Sequence, residues 1–268
     1  MACGLSPIDW SAPWLQAWRE LGEPMGQRVA QGVPVYKACN EALSVQKNTQ
    51  SLGACHVEFV PQSELHEALA YEQFIHQTNK VPTREGLHDF FNALCWLHFP
   101  LAKKQLNQVQ ATAIATQGVG SVRGPVRDAV TVFDENATLI QLPDVIWHAL
   151  QLRDWQEALV THRPLWKDVK VQIFGHAALE KLVNPYKAIT VHLWRVPSNL
   201  PLANWDAWLA QDLQPEKLAS KPFLPTPVLG IPGWWPANES PAFYQDTEVF
   251  RPLRVGNLAR WPASKKAS

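Results

Sequence analysis

Residues 87–99, LHDFFNALCWLHF, hold three side chains suited to proton transfer and directional hydrogen bonding: His88, Asp89 and Asn92. At about 100° per residue, Leu87, Phe90, Phe91, Ala93, Leu94 and Leu97 cover most of a helix surface here. His88 and Asn92 are one turn apart and share the remaining stripe, with Asp89 beside them. An ordinary wet stripe would carry Lys, Glu or Arg, whose long stems tolerate water. Short polar groups wedged among rings need partners, because each one buried without a partner costs roughly 1–3 kcal/mol. The stripe therefore lines a site, or it belongs to a structural hydrogen-bond network joining helices.

A second group lies in RGPVRDAVTVFDEN, residues 123–136. Val126, Ala129, Val130 and Phe133 form one helical face. Arg123, Arg127, Thr131 and Asp134 form another, with Asp128 and Glu135 beside it. Arg127 has the planar fork that grips a carboxylate or phosphate. Asp134 and Glu135 suit a cation or a tight turn with Asn136. A third group is QIFGHAALEKL, where Gly175 separates a strand from a helix and His176 follows at once. A helix N-terminus disfavours imidazolium, so His176 is expected neutral and fit to act as base or metal ligand. Glu180 lies one turn further on the same face. His192 and Thr190 share a face of the next strand.

Around these groups the alternation in VKVQIF and KAITVHLWRV predicts strands at 169–174 and 188–196. If the two are parallel, a right-handed crossover through the intervening helix joins them. Most of the remaining chain to residue 214 has helical periodicity, and ATLIQL is a short apolar run. Pro13 after Ser11 marks one helix start, Pro125 after Gly124 another, and Pro100 ends the 87–99 helix. Prolines recur from 215 to 252, a spacing incompatible with helix or central strand. That stretch also carries Trp234, Trp235, Phe243 and Tyr244, too aromatic for a disordered linker. The expected architecture is α+β: one mainly helical domain with a small sheet over 1–214 and a Pro/Trp-rich extended C-terminal arm over 215–256 packed on it. Residues 257–268 are expected to be a disordered tail.

The chain has 268 residues, 46% hydrophobic and 18% charged, which fits a globular domain with a sizeable core. Lys plus Arg and Asp plus Glu both total 24, so no net field draws it to nucleic acid. No basic-then-apolar leader opens the sequence, and no run approaches the roughly 18 apolar residues of a membrane span. Cys3, Cys39, Cys55 and Cys95 form no C-x-x-C pair and need no disulfide framework, so the expected location is the cytoplasm. Gly118 and Gly120 in GVGSVRG resemble half of a phosphate loop but lack the preceding strand, and no established catalytic fingerprint appears.

Four segments, PTREGLHDFFNALCWLHFP, RGPVRDAVTVFDEN, FGHAALEKLVNPYKAITVH and VLGIPGWWPANESPAFYQDTEVFRP, together resemble the proteobacterial domain-of-unknown-function family three-thousand-twenty-five. The resemblance runs from about residue 55 to 255 and implies a bacterial protein filled by one family domain. It carries no activity and no catalytic residue. The resemblance implies a glycine after the Asp-Glu-Asn run, where this chain has Ala137.

Two functions compete. The first is a hydrolase with His88, Asp89, Asn92, Asp128 and His176 as catalytic groups and Arg127, Asp134 and His192 binding a small-molecule substrate. A divalent metal (zinc, manganese or iron) is a candidate cofactor, with no ligand set fixed by spacing. It requires the His88 and His176 side chains to lie within about 10 Å of each other. The second is a non-catalytic binding or assembly protein whose stripes are structural and whose aromatic arm docks a partner.

Overall fold

The computed structural model describes residues 5, 7–49, 57–66, 69–117 and 124–253. Gly118, Gly120, Arg123, Cys3, Cys55 and the 257–268 tail lie outside them. Ten α-helices run through these residues: α1 Arg19–Ala30, α2 Val35–Thr49, α3 Tyr71–Thr78, α4 Leu87–His98, α5 Pro100–Gln117, α6 Pro125–Asn136, α7 Asp144–Gln151, α8 His176–Lys181, α9 Trp205–Asp212 and α10 Pro215–Ala219. β1 Glu58–Pro61 pairs in parallel with β2 Lys80–Thr83. A second sheet contains β3 Ala137–Gln141, β4 Lys170–Ile173, β5 Thr190–Arg195 and β6 Leu224–Pro227, in the order β4-β3-β5-β6. This is a single α+β domain, mainly helical.

The expected strands at 169–174 and 188–196 both belong to this sheet, but they are not neighbours. β3 lies between them, antiparallel to β4 and parallel to β5, so no parallel crossover joins β4 to β5. The run ATLIQL supplies this central strand, and all five residues of β3 are buried, Thr138 and Gln141 included, which is why it shows no alternation of apolar and polar side chains.

The proline-rich arm is less extended than its spacing suggests. Pro215 opens α10 at a position whose N–H needs no intrahelical partner. Pro225 and Pro227 sit in β6, which is tolerable because β6 is an edge strand. Further on, Phe243, Tyr244 and Phe250 are buried against the domain and pack edge to face on one another.

The helices that matter most are α4, α5, α6 and α8. Gly86, at φ 128°, opens α4 in a conformation that side chains rarely adopt. From Asp89 to Leu97 every residue of α4 is buried, as a helix with almost no wet side requires. Pro100 then starts α5, whose orphan Leu101 and Ala102 N–H groups donate to the Asp206 carboxylate of α9. Helices α6 and α8 are brought together at Gly175, where a Cβ would stand 2.4 Å from the Glu135 carbonyl oxygen and the Asn136 nitrogen. Only glycine allows this approach, and it sets His176 against the end of α6. Ala137 is extended at φ −69°, a conformation that any residue adopts without strain.

Candidate functional site

The α4 stripe meets side chains from four other helices. Asn92 donates through Nδ2 to the Tyr71 hydroxyl (3.1 Å) and accepts from Lys103 Nζ through Oδ1 (2.8 Å). Lys103 also donates to Asp134 Oδ1 at 2.5 Å. Asp134 Oδ2 lies 3.7 Å from His176 Nδ1. The Nε2 atoms of His176 and His88 face each other at 3.2 Å, their rings edge-on with centroids 4.6 Å apart. His88 Nδ1 reaches Glu180 Oε2 at 2.8 Å. One continuous polar line thus runs from α3 through α4, α5 and α6 to α8.

The line has a wet end and a dry end. The side chains of His88 and Glu180 are 41% and 38% exposed, whereas that of Lys103 is 4% exposed. At the inner end Tyr71, Asn92, Trp96, Lys103 and Asp134 border a cavity of about 40 Å³, on the scale of a single water.

Burial sets the protonation states. It pushes His176 down to about 4, and Lys103 and His88 act the same way against the opposing pull of Asp134, so this ring is neutral. Burial alone would raise Asp134, but Lys103, His176 and His88 outweigh it and hold its carboxyl below the ordinary range. Burial raises the Tyr71 phenol, and it raises Glu72 at the edge of the same cavity.

Counting protons shows what the pair can do. With both rings neutral, His88 Nδ1–H donates to Glu180 and His88 Nε2 accepts from His176 Nε2–H. His176 Nδ1 is then bare, 3.7 Å from the Asp134 carboxylate with no proton between them. One added proton fills this place. His88, now imidazolium, donates to both Glu180 and His176, and His176 Nδ1–H turns to Asp134. Between the two carboxylates the paired rings thus have three N–H positions to fill and, when both are neutral, two protons to fill them.

The expected site residues divide accordingly. His88, Asn92, Asp134 and His176 come together. Asp89 does not orient an imidazole; it accepts from the Arg84 backbone N–H (2.6 Å) and binds the guanidinium through both oxygens. Asp128 pairs with Lys221 instead. Arg127 is buried on α6, which removes it as a group open to an incoming anion. His192 packs edge-on against Phe223 at 5.1 Å, and its Nδ1 has no hydrogen-bond partner among the described residues. Sequence reasoning noted Glu180 without giving it a role and missed Lys103, Tyr71 and Arg84. Lys103 sits in LAKKQLNQ, where it reads as one of two surface lysines, and no local signal distinguishes it. Among the described residues, no group of three or more His, Cys, Asp or Glu side chains is arranged to hold a metal ion.

An α+β domain with a buried helix-to-helix polar line and a paired-imidazole mouth is the class that this geometry defines. The chain belongs to the family described as protein of unknown function (DUF3025), whose model matches residues 57–254. No curated protein and no solved structure matches it. Among the described residues no helix is long and apolar enough to cross a membrane.

Proposed function

We propose that the chain is a hydrolase acting by general acid–base catalysis, with His88 as the group that exchanges a proton with water and substrate. The observation that carries this reading is the 3.2 Å approach of the His88 and His176 Nε2 atoms between Glu180 and Asp134. Glu180 holds His88 Nδ1–H, so the basic nitrogen is Nε2, which the inner ring of His176 holds at rest and must release before an attacking water can reach it. In the forward step His88 takes a proton from an attacking water, and it returns that proton to the leaving group. His176 is a positioning residue: kept neutral by burial, it stabilises the imidazolium from the inner side. Arg84, held by Asp89 with a side chain 63% exposed, takes the anion-binding role that burial denies Arg127.

A panel of p-nitrophenyl acetate, p-nitrophenyl phosphate and bis(p-nitrophenyl) phosphate tests the proposal with wild type and His88→Gln. The expected result is hydrolysis of at least one substrate, reduced about 10²–10⁴-fold in the variant. Turnover no faster than buffer across the panel, or equal turnover in His88→Gln, would overturn it. A binding role is favoured by a separate feature at the edge of the sheet.

A further inference from the structure

Strand β4 ends the four-stranded sheet, and its outer side is unpaired. Ile140 turns its carbonyl to Val196, so Leu139 serves β4 on the other side. In the antiparallel register Gln172 opposes Leu139, and Phe174 N–H donates to Ala137 in the same phase. Alternation along the ladder therefore turns the N–H and C=O of Val171 away from β3. Neither group has a hydrogen-bond partner among the described residues. The edge borders a groove of about 330 Å³ flanked by the turn Pro13–Trp18, which packs against β4, and walled by Trp14, Trp166 and Trp234, with half-buried Val171 and the 52% exposed Leu202 along it. The Trp14 indole N–H, itself buried, also lacks a partner among the described residues. Lys170 is exposed, and among the described residues it is the one charged side chain lining the groove and has no ion-pair partner.

We propose that this groove docks an extended peptide of a partner protein, added to β4 as a fifth strand with an acidic side chain opposite Lys170. Unpaired strand valence fixes an extended backbone as the occupant, because neither a helix nor a globular surface presents donors and acceptors at the strand repeat. The indole walls receive alternate apolar side chains of that strand. The lone unpaired cation selects a carboxylate and disfavours a basic segment.

The test uses the full-length protein and a fluorescein-labelled octapeptide alternating valine and threonine with one central glutamate, read by anisotropy. Saturable binding below about 1 mM is expected. Methylation of the peptide's central amide nitrogens should weaken it at least about tenfold, the scale of one or more lost hydrogen bonds. Val171→Pro removes the outward donor at an edge position where proline is tolerated, and should weaken binding by a similar factor. Leu202→Glu, on the exposed rim, gives a second variant whose folding is not at risk and should also weaken binding. Replacing the peptide's glutamate by lysine should weaken it further. No saturation, or binding indifferent to N-methylation and to both variants, would overturn the proposal. So would a dimer on size exclusion that Val171→Pro dissolves, since the occupant would then be a second copy of this chain.

Discussion

Two buried polar networks in this molecule differ in one respect. Within the arm, Asn238 is fully buried and every hydrogen-bonding group of its side chain is used. Its Nδ2 donates to the Leu229 and Ile231 carbonyls, and its Oδ1 accepts from Arg163. Tyr244 closes the set by donating to Gly230 while Arg163 donates to its hydroxyl. In the network joining α4, α5, α6 and α8 the count does not close: two imidazoles, two carboxylates and one proton too few leave a nitrogen facing a carboxylate. A saturated network holds chain segments in register and does nothing else. One that is short of a proton and opens to solvent at His88 and Glu180 is the network on which the proposed hydrolysis rests.

Substitutions can break or sharpen this contrast. The largest effect is expected from Asp134→Leu, which leaves the Lys103 ammonium buried without a counter-charge. It should cost about 3–5 kcal/mol in urea unfolding. Adding Lys103→Met should recover much of that loss, and failure to recover would mean that the pair does not compensate its own burial.

Asn238→Ala comes next. It strips two carbonyls and a guanidinium of partners, and should cost about 2–4 kcal/mol by the same measurement. Hydrolysis by the folded fraction should be unchanged; a specific loss of activity would erase the distinction between the two networks.

Acidification should cost less at first. Burial depresses both His98 and His176 to about 4. The unfolded chain, with histidines near 6.5, binds protons that the folded chain refuses. The stabilising contribution of these two rings is thus complete above about pH 6.5 and is lost as the pH falls toward 4. Together they should remove roughly 1 kcal/mol between pH 7 and pH 6, with a steeper loss below. Urea midpoints at the two pH values check this, and a flat profile would mean that the rings titrate as if exposed. The smallest change in stability is expected for His88→Gln, about 0–1 kcal/mol, because its ring is 41% exposed. A loss above 2 kcal/mol would class His88 with Asn238 as a structural group.

Part of this was legible in the residues. The stripe of His88, Asp89 and Asn92 announced itself because short directional groups amid Phe, Leu and Trp cannot be a solvated face, and Asp89 and Asn92 are indeed buried with partners. Gly175 before His176 marked a turn, and its close packing against Glu135 explains the glycine. Asp128 and His192 shared the chemistry of the site residues but not their positions. Residue type says what a group can do, and neighbours decide whether it does so. Lys103 was invisible because lysine beside lysine in a helix is what a surface looks like.

By itself the sequence determined the local order of the chain: the helix faces, the helix starts at Pro13 and Pro125, and the need of the α4 stripe for polar company. These follow from period, backbone preference and the cost of stranding a polar atom, all of which act over a few residues. Only the tertiary structure decided which company arrived. His88 meets Glu180 from 92 positions away and His176 from 88. Pairings at that separation are fixed by how helices pack over a sheet whose central strand, β3, reads locally as a plain apolar run.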